Sequence, residues 1–255
     1  VNMIDPFHLE AYNKIAINYN RDVEIYPVLN ALFEGIYGSN PYKSPTDMGV
    51  NMVGFCISDD EACCEASKNE IVRRYYDATN KMARGACNEE EISKIQMLFN
   101  QAKITTDYRK VTVAAKNHKQ ETGHTSAAIE LEDGTIICGH SSELLGCSAA
   151  LLLNVTKHLG DIDHNLKLIP QSMIEPIQYT KVNYLGGHNP RLHTDEVLVA
   201  LSVLSENDEN CRVALQQLPK LRGCQAHCTV MLSDVDQRIF KKLGVNITCE
   251  PVLKK

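Results

Sequence analysis

A polar segment at residues 39–51 concentrates side chains that suit a phosphate or another polar metabolite. Its candidate groups are one cation, two hydroxyls, one carboxylate and one amide, carried by Lys43, Ser44, Thr46, Asp47 and Asn51. The lysine would hold an anionic group, the hydroxyls and the amide would bind it by hydrogen bonds, and the carboxylate would move a proton. The segment has neither helical nor strand periodicity and is predicted to be a long loop. The alternative is a structural loop held by turns of its own side chains.

Four histidines are candidates for proton transfer, because histidine titrates near neutral pH. They are His118, His124, His140 and His188. His124 and His140 flank a predicted hairpin, and we expect them at opposite ends of its strands, with the register bringing one of them near the polar loop. Both are predicted catalytic residues, together with Asp47. The alternative is that these histidines are ordinary surface or core residues.

A turn at residues 186–191 supplies a second candidate for anion binding. Its two glycines allow backbone N–H groups to converge on an anion, and Arg191 is able to hold a carboxylate or phosphate through two parallel hydrogen bonds. An exposed turn with an arginine before a helix is the alternative.

A zinc site at Cys224, His227 and Cys228 is disfavoured. On a strand, the two cysteines face one side while the histidine faces the other, and a closed zinc site needs four ligands. Buried thiols beside one ordinary histidine are therefore predicted, and no metal is assigned. The motifs HExxH, GxSxG and GxxxxGK[ST] are absent, so metalloprotease, α/β-hydrolase and P-loop interpretations have no support within these residues.

The elements that would position these groups are organised around residues 123–160. Two short apolar runs, Thr125–Glu130 and Thr135–Cys138, flank Asp133-Gly134 and predict a hairpin, with Gly139 ending its second strand. Apolar residues at helical spacing over Glu143–Leu159 predict a buried helix that packs on the hairpin.

The remaining elements divide the chain into a mainly helical subdomain, residues 1–122, and an α/β subdomain, residues 123–255. Helical patterns occupy about 7–18, 28–37, 58–84, 88–102, 172–179, 194–204, 211–218 and 233–243. Strand patterns occupy 166–169, 225–232 and 245–249.

The fold class is therefore predicted to be α/β, with a mixed sheet layered with helices. Helices between strands favour mostly parallel pairing, with the hairpin as the antiparallel pair. The order hairpin, helix, strand, helix, strand resembles the cytidine-deaminase-like fold. Deamination itself is not expected, because His140 and Glu143 are three positions apart rather than two and no Pro-Cys-x-x-Cys motif occurs.

Composition limits the possible partners. The 255 residues carry a net charge of -6, which argues against nucleic acid or an anionic membrane as the main partner. No apolar run approaches the ~20 residues of a membrane-spanning helix. Ten cysteines without the pattern of a disulfide framework favour free thiols in a reducing cytoplasm.

Several separated blocks of the sequence resemble domain-of-unknown-function family 1846, the UPF 0371 proteins. They include VNMIDPFHLEAYN, NYNRDVEIYPVL, YKSPTDMGVNMVGF, NPRLHTDEVLVALS and GCQAHCTVMLS. The resemblance implies a bacterial-type cytoplasmic protein without an established activity. It also implies that this chain is the C-terminal half of a longer protein whose other half carries a Gly-rich, phosphate-binding segment.

Together these observations predict an enzyme that acts on a phosphorylated or nucleotide-like small molecule. The predicted substrate-binding residues are Lys43, Ser44, Thr46, Asn51 and Arg191, and no cofactor is identified. The competing hypothesis is a non-catalytic module that assembles subunits or regulates a nucleotide-binding half, with a homo-oligomeric interface on the helix Asp195–Leu204.

Overall fold

The structure, a computed structural model, describes residues 32, 34–38, 60–86 and 89–252. These residues form parts of two compact units, Val1–Arg109 and Lys110–Lys255. The division falls before the predicted boundary at residues 122 and 123, because the helix that begins at Lys110 packs on the sheet of the second unit.

The described part of the first unit is helical, as predicted. Helices α1 (Asp60–Ala83) and α2 (Glu89–Ala102) pack through a small apolar cluster that includes Ile71, Ile95 and Leu98, and a 3₁₀ turn at Thr106–Tyr108 follows. Residues 34–37 are helical, in agreement with the end of the second predicted helix. The first predicted helix and the loop at 39–51 lie outside the described residues.

The second unit is an α/β body with a four-stranded mixed sheet, which confirms the predicted class. Its strands are β1 (Ser126–Glu130), β2 (Ile136–His140), β3 (Gln225–Cys228) and β4 (Asn246–Cys249). Its helices are α3 (Lys110–Thr122), α4 (Cys147–Leu159), α5 (Gln171–Asn183), α6 (Thr194–Leu204), α7 (Glu209–Gln216) and α8 (Asp234–Lys242), with a 3₁₀ turn at Leu218–Leu221.

The strands lie in the order β2-β1-β3-β4, and the expectation of mostly parallel pairing is wrong for this sheet. Strand β1 is antiparallel to both of its neighbours, and only β3 and β4 are parallel. The reason is that the chain returns from β2 through four helices to the far side of β1. Strands β2 and β3 therefore run in the same direction without being adjacent.

Alternation along the strands places one helical layer on each face of the sheet. Ala127 and Ile129 of β1 join the main core with Leu151 of α4 and Phe240 of α8. Ala128, between them, packs with Val111 and Ala115 of α3 on the other face. A second core lies among α4, α5, α6 and α7. Successive side chains of a strand point to opposite faces of the sheet. Helix α3 therefore covers one face, and helices α4 and α8 cover the other.

Helix α4 starts at Cys147, later than the predicted Glu143. Leu145 forms a parallel bridge with Leu192, and the backbone N–H of Leu192 donates to the carbonyl of Leu144 at 2.9 Å. The apolar residues that looked like a first helical turn therefore join two loops. Gly139 does not end β2, which continues to His140. A Cβ on Gly139 would lie 2.7 Å from the Cα of Leu151, so the glycine permits close approach of α4.

Residues 166–169 are not a strand, which corrects a second prediction. Leu168 and Ile169 are buried in the core beside α4–α7. Side chains satisfy carbonyl groups there: the Lys157 ammonium donates to Leu166, and the Cys211 thiol donates to Leu168. Burial of an apolar segment without a strand partner is possible because these donors replace the strand hydrogen bonds.

Candidate functional site

One end of the sheet collects polar side chains from three strands. Ser126 pairs with His140, and Ala127 pairs with Cys228. The residues just before β1 and just after β2 and β3 therefore lie at the same end, opposite the hairpin turn. We call this end, formed by residues 124–126, 140–142 and 228–229, the open end of the sheet.

A histidine–aspartate pair joins the start of α6 to the first turn of α8. The Nδ1 atom of His193, directly before α6, lies 3.0 Å from Oδ2 of Asp236 in the first turn of α8. The Ser233 hydroxyl donates to the same carboxylate oxygen at 2.8 Å and lies 3.2 Å from Nδ1 of His193. The other oxygen, Oδ1, accepts hydrogen bonds from the backbone N–H and the hydroxyl of Thr194, at 3.0 and 2.9 Å.

Asp236 is a buried carboxylate that stays ionised. Its side chain is 1% exposed. Burial by itself raises the pKa of Asp236, but hydrogen bonds from His193, Thr194 and Ser233 outweigh burial and hold that pKa well below its usual range. The first turns of α6 and α8 both contact this carboxylate, and the positive ends of helix dipoles favour a negative charge there. The carboxylate therefore fixes two helix starts and one imidazole ring.

One ion pair, between Lys181 and Glu196, holds the backbone around His193. The Glu196 carboxylate accepts a hydrogen bond from the backbone N–H of His193 at 2.7 Å. The Lys181 ammonium of α5 bridges this carboxylate, at 2.7 Å, and the carbonyl of Arg191, at 2.8 Å. The Glu196 side chain, three residues after His193, and the Lys181 side chain of the neighbouring helix α5 thus restrict the backbone on both sides of the imidazole.

The arrangement suits general acid–base chemistry. An imidazole whose Nδ1 is engaged by a carboxylate keeps one tautomer and presents Nε2 to a reactant. The hydrogen bonds of the His193 ring to described residues are made by Nδ1, and its side chain is 22% exposed. The same contacts would also serve a structural cap between α6 and α8. The partial exposure of the His193 ring favours the acid–base role, because a reactant can reach a ring that a purely structural contact would leave buried.

Arg191 lies two residues before this histidine, as the sequence places it. Its Nε donates to the carbonyl of Ser142 at 2.6 Å, which ties the turn at 186–191 to the segment after β2. The residue is exposed. Since only Nε is used in that hydrogen bond, the terminal guanidinium nitrogens are able to face an anion.

His124 and His140 lie at the same end of the hairpin, so the expectation of opposite ends is wrong. The start of one antiparallel strand lies beside the end of the next. The rings of His124 and His140 stack with centroids 5.8 Å apart, and Nε2 of His118 on α3 lies 3.3 Å from Nδ1 of His140. Burial lowers the pKa of His140, and the neighbouring His118 and His124 lower it further. Three of the four candidate histidines form one cluster, while no described hydrogen bond joins His188 to it.

The other predicted site residues divide into two groups. Lys43, Ser44, Thr46, Asp47 and Asn51 lie outside the described residues, so their roles stay predictions. Cys224 and Cys228 face the main core, whereas His227 bonds to Thr248 and lies 3.5 Å from Glu250 on the opposite face. Burial and nearby acidic groups raise the pKa of the Cys224 thiol to about 11. Over 60–86 and 89–252, no three His, Cys, Asp or Glu side chains are grouped to hold a metal ion.

Sequence reasoning missed His193 and Asp236 as a pair. Ser233 and Asp236 matched a helix-capping pattern, and Thr194 opened a predicted helix, so a structural role explained each signal. The pair joins positions 43 residues apart in the chain. A usable signal was present in His193, a titratable side chain directly before a predicted helix start.

Two family models cover most of the chain. Residues 1–103 match the N-terminal domain of unknown function DUF1846, and residues 107–255 match its C-terminal domain. The interpretation of the chain as the C-terminal half alone is therefore wrong, because its first part matches the N-terminal model. None of the helices in the described ranges combines the length and apolar character needed to cross a bilayer.

Curated relatives support the same assignment. A UPF0371 protein of Corynebacterium urealyticum is 53% identical over 98% of this chain and 50% of its own length. Relatives from Corynebacterium aurimucosum and Streptococcus pyogenes serotype M5 are 50% and 49% identical, each over 51% of their own length. The chain thus spans about half the length of the curated relatives it matches. Both family models and these relatives agree that the chain belongs to the DUF1846 family, whose members are named UPF0371 proteins.

Proposed function

We propose that this chain carries a general acid–base site, centred on His193, of an enzyme that acts on a phosphorylated or nucleotide-like small molecule. The observation that supports it most directly is the half-buried imidazole held at Nδ1 by the buried, ionised Asp236. In this role Nε2 of His193 accepts or donates the proton of the reacting group. Asp236 acts as a positioning residue that fixes the tautomer.

Arg191 would bind the anionic group of the same molecule. It lies two residues from the base, and its backbone carbonyl is held by Lys181, which also binds the carboxylate at the start of α6. His124 and His140 remain predicted proton-transfer groups at the open end of the sheet. In the loop at 39–51, Lys43 would hold an anionic group, Ser44, Thr46 and Asn51 would hydrogen-bond it, and Asp47 would move a proton.

Two further expectations belong to this proposal. The order β2-β1-β3-β4, with β1 antiparallel to its neighbours, supports a cytidine-deaminase-like topology without deaminase chemistry. The cysteines of the second unit, at positions 138, 147, 211, 224, 228 and 249, are free thiols, which supports a reducing, cytoplasmic location.

The proposal is tested with a panel of phosphorylated metabolites and nucleotides. Thermal-shift measurements identify the members that stabilise the protein, and product analysis then identifies any that are converted. We expect Arg191→Gln to weaken binding by about tenfold. His193→Gln should retain the thermal shift but slow conversion by about 10²–10⁴-fold.

His164→Gln is the matched control, because His164 is an exposed histidine of the same unit, remote in sequence from both segments. It should bind and convert like the wild-type protein. Absence of any stabilising phosphorylated compound would contradict the substrate class. Conversion by His193→Gln at the wild-type rate would contradict the assignment of the base.

An assembly role is the second candidate, and one observation favours it. Val199 and Val203 of α6 are 65% and 59% exposed and lie four residues apart on one helix face. Packing of this pair against a second copy of the chain would remove its apolar surface from water. Light scattering discriminates: a concentration-independent oligomer without response to the metabolite panel favours a homo-oligomeric or regulatory module over the enzyme.

A further inference from the structure

Two imidazole rings face each other at the open end of the sheet. His118 lies near the end of α3, and His140 is the last residue of β2. Nε2 of His118 and Nδ1 of His140 are 3.3 Å apart, and the ring centroids are 5.4 Å apart with an interplanar angle of 50°. Packing of α3 on β1 and β2 fixes this approach, because Val111 and Ala115 bury their side chains against the sheet.

The separation of the two nitrogens matches that of two ligands on one metal ion. Zinc–imidazole bonds of about 2.0–2.1 Å at a tetrahedral angle place two nitrogens about 3.3–3.4 Å apart. A hydrogen bond between two neutral imidazoles is the alternative, and about 2.9–3.0 Å is the usual distance for a bond donated by nitrogen.

A carboxylate lies near the second ring nitrogen of His118. Its second ring nitrogen, Nδ1, lies 3.8 Å from a carboxylate oxygen of Glu121, one helical turn ahead. Ligating histidines commonly direct their second nitrogen to a carboxylate, which orients the ring. His140 is exposed, so water has access to the remaining coordination positions.

We propose that His118 and His140 bind one divalent ion of the Ni²⁺, Cu²⁺ and Zn²⁺ group through Nε2 and Nδ1, respectively. Imidazole nitrogen is a preferred ligand of these ions, whereas Mg²⁺ and Ca²⁺ prefer oxygen. His124 is not a ligand, because its ring stacks parallel to that of His140, at 15°. Two protein ligands leave the other positions to water. This site uses neither His193 nor Asp236, and it requires no third side chain from the described ranges. While the ion is bound, Nδ1 of His140 does not take part in proton transfer.

Zinc titration of the whole chain tests the site. Isothermal titration calorimetry in a chelator-free, reducing buffer should give one saturable site in the wild-type protein at pH 7.5. His118→Asn and His140→Asn should each weaken zinc binding by at least about tenfold. His124→Asn and the control His164→Asn should stay within about threefold of the wild type, since neither ring contributes a ligand. Circular dichroism confirms that each variant is folded.

The pH dependence supplies a second readout. Zinc affinity should fall as the pH decreases from 7.5 to 5.5, because a protonated imidazole cannot coordinate. Absence of saturable binding would overturn the proposal in favour of the hydrogen-bonded imidazole pair. Equal affinity in all four variants would also overturn it and place the zinc elsewhere, for example at the thiols. A loss in His124→Asn as large as that in His140→Asn would overturn the two-ligand assignment.

Discussion

Among the described carboxylates of the second unit, we expect Asp236 to contribute most to the free energy of unfolding. Replacement of Asp236 by alanine tests this expectation. Its oxygens accept hydrogen bonds from Thr194 N–H, the Thr194 hydroxyl and the Ser233 hydroxyl, and one of them contacts His193 Nδ1. The Thr194 groups are buried and would lose their partner, since Thr194 has no exposed surface. His193 and Ser233 are half-buried and are able to recover water.

The expected loss follows from the buried contacts. A hydrogen bond to a charged group contributes about 1.5–3 kcal/mol, and two such bonds would remain uncompensated in Asp236→Ala. We therefore expect the free energy of unfolding to fall by about 3–5 kcal/mol, in the range found when one partner of a buried charged pair is removed. Asp236→Asn keeps the shape and one acceptor oxygen, so its cost should be about 1–2 kcal/mol.

The pH dependence has a defined sign. The hydrogen bonds that lower the pKa of Asp236 in the folded state contribute stability above the ordinary aspartate pKa of about 3.9. That stability is lost as the pH falls below this value towards the lower pKa of the folded state. Asp236→Asn lacks the titration, so its stability should decline less steeply than that of the wild type between about pH 5 and pH 3.

Urea unfolding monitored by far-UV circular dichroism measures both effects. Asp234→Ala is the matched control, because Asp234 is an exposed aspartate in the same helical turn. Its cost should stay below about 1 kcal/mol, the size of an interaction with a helix dipole. An Asp236→Ala protein within about 1 kcal/mol of the wild type would refute the inference that buried hydrogen bonds to this carboxylate join α6 and α8.

Three further outcomes are expected. Gly139→Ala should lower the free energy of unfolding by about 2 kcal/mol or more, because its Cβ would lie 2.7 Å from the Cα of Leu151. Gly134→Ala should lower the free energy of unfolding by only about 1 kcal/mol, because Gly134 has a positive φ but nothing lies within 4 Å of the new Cβ. Denaturant curves in which Gly134→Ala is the more destabilising substitution would contradict the close approach of α4 to Gly139. Burial raises the pKa of Glu250, but His227 and Lys116 outweigh burial and lower it to about 2. Stability from Glu250 is therefore present above the ordinary pKa of about 4.3 and lost as the pH falls towards 2. Glu250→Gln should flatten the acid limb of a stability–pH profile, and an unchanged profile would argue against this coupling. Val199→Lys with Val203→Lys should leave the melting temperature within about 2 °C, since both side chains are exposed. Dissociation of an oligomer in light scattering would show that they form its interface, whereas an unchanged mass would exclude α6 from one.

Short sequence patterns correctly predicted the helix cap at Ser233 and the hairpin turn. Ser233 was expected to cap the last helix, and its hydroxyl accepts a hydrogen bond from the backbone N–H of Asp236 at 3.1 Å. The hairpin with its Asp133-Gly134 turn also formed as predicted, with Thr135 N–H bound to Asp133. Capping and tight turns depend on groups within about four residues, so neighbouring sequence is enough to specify them.

Predictions failed where residues distant in the chain compete for a segment. Leu145 fits the periodicity of α4, yet it pairs with Leu192. Leu168 and Ile169 fit a buried strand, yet this segment pairs with no strand of the four-stranded sheet, and side chains bind its carbonyl groups instead. Hydrophobic periodicity predicts that a residue is buried, but it does not predict which segment of the chain packs against that residue.

The amino-acid sequence by itself determined the α/β class, the hairpin, most helices and the separation of His227 from Cys224 and Cys228, because each depends on periodicity or on nearby capping groups. It also indicated His118, His124 and His140 as candidate residues, although not His193. Only the tertiary structure decided that His193 meets Asp236 and that His118 meets His140. These contacts depend on strand order, register and helix packing, which arise from long-range burial that no local pattern encodes.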